Sequence, residues 1–288
     1  KGVPSEVQDL TLKFEYNNEE SVNELFRNNE NIAAIILEPA STESPCGKTE
    51  CKESKTCNHN NFLQFLRKKC DENNCLLILD EMVTGFRWNL GGAQKMYNVI
   101  PDLSTFGKGM ANGFSLAALA GKKEIMEMGG IKGTGSERTF LLSTTHGAEM
   151  APLGAFMETL RIYEKENVIN HMWKYGGNLK RELNNLSKSL KLEKFFYIDG
   201  FDCSPYFVTK DQNFNNCMTM RTIFCQEMIR NGVLMPWMAF SKAHGKNEID
   251  ITLDAARSSL LIFKEALDDP GKFLESSQIL KPVFRKFN

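Results

Sequence analysis

The residues of this chain that are best suited to chemistry are an acid and a lysine 28 positions apart. Asp80 follows the apolar run "CLLIL", and Lys108 follows "DLSTFG" and lies between two glycines. Flanking glycines give the lysine backbone freedom and little steric cover. A lone Gly-Lys-Gly is most often a solvated turn, so the meaning of this lysine depends on the rest of the chain.

Both residues end short apolar runs that predict buried strands. Ligands of an open α/β sheet bind outside the carboxyl ends of its strands. The interval between Asp80 and Lys108 is long enough for a crossover to a parallel neighbour. The two side chains are therefore expected to face one crevice, where a structural salt bridge between them fits the spacing equally well.

One cofactor chemistry uses this pair of side chains. Pyridoxal phosphate is held by a lysine Schiff base, and an acid partners its pyridinium nitrogen. The lysine must lose its proton to act as a nucleophile and base, and burial lowers the pKa of a lysine in that direction. Asp80 and Lys108 are the candidates for these two roles.

The elements that must position the pair alternate between strand and helix. Apolar runs predict strands at 32–39, 75–81, 102–108 and 115–122. Apolar residues at helical spacing predict helices at 17–29, 61–73, 147–168 and 169–186. This alternation predicts an α/β domain with a mostly parallel sheet.

The character of the sequence changes after about residue 190. Strands are predicted at 201–210 and 232–237, and helices at 218–232 and 248–267. These elements predict a smaller α+β domain. We therefore expect a large domain at 1–185, including the linking helices, and a small C-terminal domain at 186–288.

Composition excludes several classes of protein. Lysine and arginine total 35 and aspartate and glutamate 36, so no charge excess predicts a nucleic-acid or membrane partner. No apolar run approaches the roughly 20 residues that span a bilayer. The first residues, "KGVPSEVQDL", contain no apolar signal-peptide core. A cytoplasmic location is the expectation.

The chain has eight cysteines, and three of them fall in the polar stretch "SPCGKTECKESKTCNHNN". Cys46, Cys51, Cys57 and His59 offer ligands for zinc, but their spacing is not usual for a zinc site and a paired Cys-x-x-Cys is missing. The sequence favours an exposed loop insertion without a metal. A large expected core also argues against a disulfide scaffold.

Longer motifs carry a resemblance to a known family. The segment "LLILDEMVTGFR", the following "GGAQKMYNVIPDLSTFGKGMANGFSLAALAGKKEIM", "STTHGAEMAPLGA" and "GVLMPW…FSKAH…EIDITLDAA" occur in family order. Together they resemble the class-III aminotransferases, with the greatest likeness to the glutamate-1-semialdehyde aminomutase branch. The resemblance covers most of residues 1–267. It implies the fold of type I pyridoxal-phosphate-dependent transferases and a homodimer with shared active sites.

The resemblance also implies roles for individual residues. Lys108 matches the Schiff-base lysine that moves a proton to and from the α-carbon, and Asp80 matches the acid on the pyridinium nitrogen. Met82 falls where the family places an apolar residue against the ring, although core packing explains a methionine equally well. Thr144 matches a threonine that reaches the cofactor phosphate of the neighbouring subunit, and Ser143 is a second candidate for that phosphate.

A few further side chains are weaker candidates. Glu38, in "LEP", falls at a family acid near the site and is expected to have a supporting role. His146 and His244 are expected to be structural. Trp237 and Met238 either line a substrate pocket or pack in the core.

Two departures from the family pattern bear on function. The family's preceding segment, with a Gly-Ser phosphate loop and a stacking aromatic residue, has no counterpart in the sequence, so half of the phosphate cradle is expected to be missing. The stretch "MPWMAFSKAHG" lacks the gating acid of the aminomutase branch. The prediction is therefore an aminotransferase that moves an amino group from a donor to a carbonyl acceptor. The alternatives are an intramolecular aminomutase and a catalytically incomplete partner subunit.

Overall fold

The structure is a computed structural model that describes residues 2–130, 147 and 149–282. The chain divides into two compact units, Lys1–Glu166 and Asn167–Asn288. Within the described part of the chain, every helix is too short or too polar to span a bilayer.

The first unit is built on a four-stranded sheet. Its strands are β1 (Ala34–Leu37), β2 (Leu76–Asp80), β3 (Leu103–Phe106) and β4 (Ala118–Gly121), in the order β1-β2-β3-β4. The first three strands are parallel and β4 pairs antiparallel with β3. The prediction of an α/β fold with a mostly parallel sheet is confirmed.

Among the described residues of the first unit, three helices match predicted segments and three short ones were not predicted. They are α1 (Ser5–Gln8), α2 (Glu19–Asn28), α3 (Phe62–Glu72), α4 (Gly92–Met96), α5 (Lys123–Met126) and α6 (Met150–Lys165). Asn18 and Asn61 begin α2 and α3 as N-caps, each accepting a hydrogen bond from a main-chain amide of the first turn. Leu63 and Leu66 on α3 and Leu77 and Leu79 on β2 are fully buried and form part of the core.

The start of β3 is fixed by a buried acid. Asp102 Oδ2 accepts hydrogen bonds from Arg67 Nη1 and from the Leu77 amide, both at 2.7 Å, and Oδ1 pairs with Lys122 Nζ at 2.6 Å. Burial alone would raise the pKa of Asp102, but these hydrogen bonds outweigh it and lower the pKa to about 2. This network joins β2, β3 and the residue that follows β4.

The loop between β1 and α3 is less exposed than its polar sequence predicts. Cys51 and Cys57 are only 2% and 6% exposed, and Cys46 is half-buried. The expectation of an exposed insertion holds for most of the loop but not for Cys51 and Cys57, because the loop folds back on the chain: the Cys57 amide donates to the Met96 carbonyl at 3.0 Å.

The second unit combines three long helices with an antiparallel hairpin. The helices are α7 (Val168–Ser189), α8 (Met218–Arg230) and α9 (Lys246–Ala266), and the hairpin consists of β5 (Phe196–Phe201) and β6 (Ser204–Thr209). Its core contains a cluster of phenylalanines at 196, 207, 224 and 263. Helix α7 spans the boundary predicted after residue 185.

The strand predicted at 232–237 is wrong, because these residues are irregular. Pro236 has no amide to donate to a neighbouring strand, and its carbonyl accepts a hydrogen bond from Arg221 Nη2 at 2.8 Å. An apolar run without a pairing partner does not form a strand, however strong its β-propensity.

Candidate active site

Each of the three parallel strands has a residue of chemical interest at or just beyond its carboxyl end. Asp80 ends β2, and the register pairs it with Thr105 near the end of β3. Lys108 lies two residues beyond β3. Glu38 directly follows Leu37, the last residue of β1. The carboxyl ends of parallel strands form one edge of a sheet, so the topology brings these residues to the same edge.

Asp80 is held in one orientation by two donors. Its Oδ1 accepts a hydrogen bond from Thr105 Oγ1 at 2.9 Å and another from the Met82 amide at 3.0 Å. Among the described residues, Oδ2 accepts none. The side chain is half-buried, so one oxygen is fixed to the protein while the other is available to a ligand.

Lys108 occupies an uncommon backbone conformation. Its φ is +46°, in the left-handed region that L-residues other than asparagine and aspartate seldom adopt. It begins the 3₁₀ turn Lys108–Met110, which the Met110 amide closes by donating to the Gly107 carbonyl at 3.0 Å. The side chain is exposed. Among the described residues neither Lys108 nor Asp80 forms an ion pair, so the salt-bridge alternative between them is wrong.

Met82 connects the acid to the lysine turn. A Cβ built on Gly107 would lie 2.4 Å from Met82 Cε and 2.8 Å from its Sδ, so the methionine fills the space that a side chain before Lys108 would need. Gly107 is extended, with φ −178°, and any residue tolerates that conformation. The glycine therefore leaves room for the Met82 side chain in its observed position. Gly109 differs, because its Cβ would meet nothing closer than 3.6 Å.

The turn that follows β2 supports the lysine from a second side. Phe86, with φ +60°, packs edge-on against Phe106, Phe156 and Tyr163 at centroid distances of 5.9–6.1 Å. Phe156 and Tyr163 belong to α6, and a Cβ on Gly109 would lie 3.6 Å from the Tyr163 hydroxyl. Burial raises the pKa of Tyr163, so it stays a neutral phenol. This aromatic cluster fixes the Lys108 turn against α6.

Glu81 is a buried carboxylate next to Asp80. It is fully buried and accepts hydrogen bonds from Thr84 Oγ1 and from the amides of Ala93 and Gln94, both at 2.8 Å. Burial raises the pKa of Glu81, and these three hydrogen bonds only partly offset that effect. The carboxylate anchors the start of α4 to the end of β2.

The contacts described above do not include the remaining predicted site residues. Glu38 is exposed. Ser143, Thr144 and His146 lie outside the described residues. The structure therefore brings together Asp80, Met82 and Lys108 of the predicted set.

In the second unit, His244 has structural contacts. Its Nδ1 accepts from the Ser241 amide at 3.1 Å, and its carbonyl bonds His171 Nε2 at 2.9 Å. Met238 is buried, whereas Trp237 is 65% exposed.

Sequence reasoning missed three residues that position this site: Thr105, Phe86 and Glu81. Thr105 had a usable signal, because a hydroxyl three residues before the lysine falls level with the end of the neighbouring strand. The only sequence signal for Phe86 was its place in "TGFR" at the end of the motif "LLILDEMVTGFR". Glu81 reads as a solvated acid at a strand end, and nothing local shows that it is buried.

Comparisons with known proteins show which family this chain belongs to. The aminotransferase class-III family model matches residues 4–234. A glutamate-1-semialdehyde 2,1-aminomutase of Methanosphaera stadtmanae is 31% identical over 274 residues, 90% of this chain and 60% of that protein. A 3-aminobutyryl-CoA aminotransferase of Cloacimonas acidaminovorans is 30% identical over 270 residues, 92% and 61% of the two chains. The chain thus spans about three fifths of the length of these curated relatives.

Solved structures share the fold. The PLP internal aldimine form of the FumI protein of Sphingopyxis sp. MTA144 superimposes with a TM-score of 0.77 at 22% identity, covering 95% of this chain and 62% of that one. An omega-transaminase from Sphaerobacter thermophilus gives 0.71 at 20% identity, covering 93% and 59%. Since the family model matches most of the sequence, the chain belongs to the aminotransferase class-III family.

Proposed function

We propose that this chain carries the lysine and the ring-binding acid of a pyridoxal-phosphate-dependent aminotransferase, which moves an amino group from an amino donor to a carbonyl acceptor. The observation that carries the proposal is the placement of Asp80 and Lys108 at the ends of neighbouring parallel strands, joined by the Asp80–Thr105 hydrogen bond and by Met82 against Gly107. Family membership supports it.

The described residues fit this cofactor. Asp80 has one oxygen held by donors and one available to accept from a ring N–H. Lys108 is exposed, and its ammonium group has no ion-pair partner among the described residues. Met82 offers an apolar surface between them. We assign the cofactor phosphate to Ser143 and Thr144 from the family resemblance alone, and give Glu38 a supporting role on the same ground.

When bound, pyridoxal phosphate supplies an electron sink for a carbanion at the substrate α-carbon. Lys108 Nζ would hold the cofactor covalently, and its free amine would accept and return the α-proton. The Asp80 carboxylate would keep a proton on the ring nitrogen, and Thr105 and the Met82 amide keep that carboxylate oriented. Phe86 and Tyr163 hold the turn from which Lys108 projects.

The test of this function is turnover with amino donors and carbonyl acceptors. Lys108→Ala is expected to abolish turnover, and Asp80→Asn to slow it greatly because the ring nitrogen loses its proton. Lys123→Ala alters another exposed lysine of the first unit, whose ion-pair partner Glu127 is also exposed, and serves as the control for the loss of a positive charge. An unchanged rate in Lys108→Ala would overturn the proposal.

A second candidate function is intramolecular amino transfer. It is favoured by the relatives named glutamate-1-semialdehyde 2,1-aminomutase. The missing acid in "MPWMAFSKAHG" counts against that substrate. Product analysis without any added acceptor separates the two, because only an aminomutase turns over under that condition.

We also propose a homodimer with shared active sites, a cytoplasmic location, and functional domains at 1–185 and 186–288. The family resemblance supports the first, and the sequence pattern supports the others. Sedimentation analysis tests the dimer, and cell fractionation tests the location. Limited proteolysis with mass mapping tests the domain boundary.

A further inference from the structure

The loop between β1 and α3 brings three thiols close together in space. In the sequence, these cysteines are separate from Asp80 and Lys108. The Sγ atoms of Cys46, Cys51 and Cys57 all lie within 4.8 Å of one another, and those of Cys51 and Cys57 are 3.2 Å apart. All three cysteines are free. In the described part of the chain, this is the group of side chains whose atoms could surround a metal ion.

The loop that presents these thiols is anchored on both sides. The Cys57 amide donates to the Met96 carbonyl at 3.0 Å, and Asn61 Nδ2 donates to the Tyr97 carbonyl at 3.3 Å. Ser44 Oγ lies 3.2 Å from the Tyr97 hydroxyl and 3.2 Å from Cys46 Sγ. Because neighbouring residues fix the loop, the thiols converge as a preformed set.

The spacing of the thiols suits a tetrahedral thiolate site. A Zn–S bond of about 2.3 Å in tetrahedral geometry separates two sulfurs by about 3.8 Å. The observed spread, from 3.2 Å up to less than 4.8 Å, brackets that value. Thiolate ligands select zinc over magnesium or calcium, which take oxygen ligands. We propose that Cys46, Cys51, Cys57 and His59 bind a zinc ion that pins this loop.

His59 is assigned the fourth position by its contacts. Its Nε2 lies 3.3 Å from Glu50 Oε1, and its carbonyl lies 3.9 Å from Cys57 Sγ. Metal-binding histidines commonly donate one ring N–H to a carboxylate, which leaves the other nitrogen for the metal. The Glu50 contact therefore assigns Nδ1 to zinc. The His59 ring does not lie among the three thiols in this structure. The side chains of His59 and Glu50 are both exposed, so the pair can turn toward the thiols together.

Zinc binding at this site displaces protons from the thiols and changes no oxidation state. Each thiol releases its proton to solvent as its sulfur bonds the ion, and zinc keeps its charge of two. The ion closes the chain between Cys46 and Cys57, so it adds stability by restricting the unfolded loop. The loop follows Glu38 at the end of β1, and the site thus stiffens the same edge of the sheet. The inference does not depend on the proposed transferase activity.

The first test is metal content of the full chain purified under reducing conditions with zinc supplied. Mass spectrometry of the metals is expected to find about one zinc per chain, and Cys46→Ser to lose it. Cys46 is chosen because it is half-buried, so its replacement disturbs packing least. Cys217→Ser, at a half-buried cysteine of the second unit, is the matched control and is expected to keep its zinc.

A second measurement tests the proposal even if Cys46→Ser fails to fold. Cobalt added to the wild-type chain is expected to give the thiolate charge-transfer band and the intense visible bands of a tetrahedral Co–S site. Glu50→Gln is expected to weaken metal affinity about 10- to 100-fold. A metal-free chain whose thiols react freely with iodoacetamide after zinc is added overturns the proposal. So does a Cys51–Cys57 disulfide, seen as a mass loss of two hydrogens. An unchanged zinc affinity in His59→Ala would overturn the assignment of His59 as the fourth ligand.

Discussion

Asp80 Oδ1 accepts a 2.9 Å hydrogen bond from Thr105 Oγ1 across the parallel pair β2–β3. This bond joins the strand that carries the proposed ring acid to the strand that leads to the proposed catalytic lysine. It also orients the carboxylate, because the Met82 amide donates to the same oxygen. The relationship makes Thr105 a positioning residue and leads to the first prediction.

Thr105→Val removes the hydroxyl and keeps the β-branched shape that suits a strand. Hydrogen bonds to charged groups contribute about 1.5–3 kcal/mol, and about 1.4 kcal/mol corresponds to tenfold in rate. We expect kcat to fall about 10- to 100-fold, measured by steady-state turnover. Thr105→Ser keeps the donor and is the control. Equal kcat values for the two variants would show that the bond does not orient Asp80.

Gly107→Ala places a Cβ where Met82 now lies. The methionine must move, so we expect weaker cofactor binding, measured by titration of absorbance. Gly109→Ala is the matched control, because its new Cβ would meet only ordinary contacts. The double variant Gly107→Ala/Met82→Ala makes room and is expected to recover part of the affinity. A double variant no better than Gly107→Ala alone would contradict this explanation.

Glu81 and Gly92 form one structural unit. Gly92 has φ +79°, and a Cβ on it would lie 2.4 Å from the Glu81 carboxyl group. Gly92→Ala is therefore expected to lower the free energy of unfolding, measured by urea denaturation. Gly91→Ala is the control, since its nearest neighbour lies at 3.5 Å and its φ is −87°. Similar losses of unfolding free energy in both variants would refute a steric clash with Glu81 as the cause.

Glu81→Gln is a second probe of this unit. The amide nitrogen that replaces one oxygen cannot accept from a main-chain N–H, so one buried donor loses its partner. We expect a loss of about 1–3 kcal/mol in the free energy of unfolding. Glu30→Gln, at an exposed acid shortly after α2, is the control and is expected to be nearly neutral. A neutral Glu81→Gln variant would contradict the anchoring role.

Asp102 predicts how stability depends on pH. Its pKa is lowered from 3.8 to about 2 in the folded chain, so the unfolded chain binds the proton more readily. The stabilisation is complete above pH 3.8 and is lost as the pH falls through about 2. Asp102→Asn leaves Arg67 and Lys122 without their buried partner and is expected to cost about 3 kcal/mol at pH 7.

The measurement for Asp102 is the difference in unfolding free energy between wild type and Asp102→Asn at several pH values. The difference is expected to shrink as the pH falls through the window between 3.8 and about 2. Asp71→Asn is the control, because Asp71 pairs with the same Arg67 from an exposed position. A difference that stays constant across the window would contradict the lowered pKa.

The sequence predicted the strands of the parallel sheet because their residues are almost wholly apolar and end in polar groups. Helix boundaries were close for the same reason, since apolar periodicity reflects burial on one face. The partner of Asp80 was missed because register between strands is a long-range property. Cys46, Cys51 and Cys57 were considered as zinc ligands and disfavoured on their spacing, because their convergence depends on the path of an irregular loop. The prediction of a strand at 232–237 was wrong because these residues have, among the described residues, no neighbouring strand with which to pair.

The most direct test of the proposed function is to find where pyridoxal phosphate attaches. The purified chain is mixed with the cofactor, scanned for absorbance, reduced with borohydride and digested for peptide mapping. We predict a yellow species and a reduced pyridoxyl label on Lys108, absent from Lys108→Ala and present in Lys123→Ala. A label on another lysine, or no label on any peptide of this chain, would contradict the assignment of Lys108.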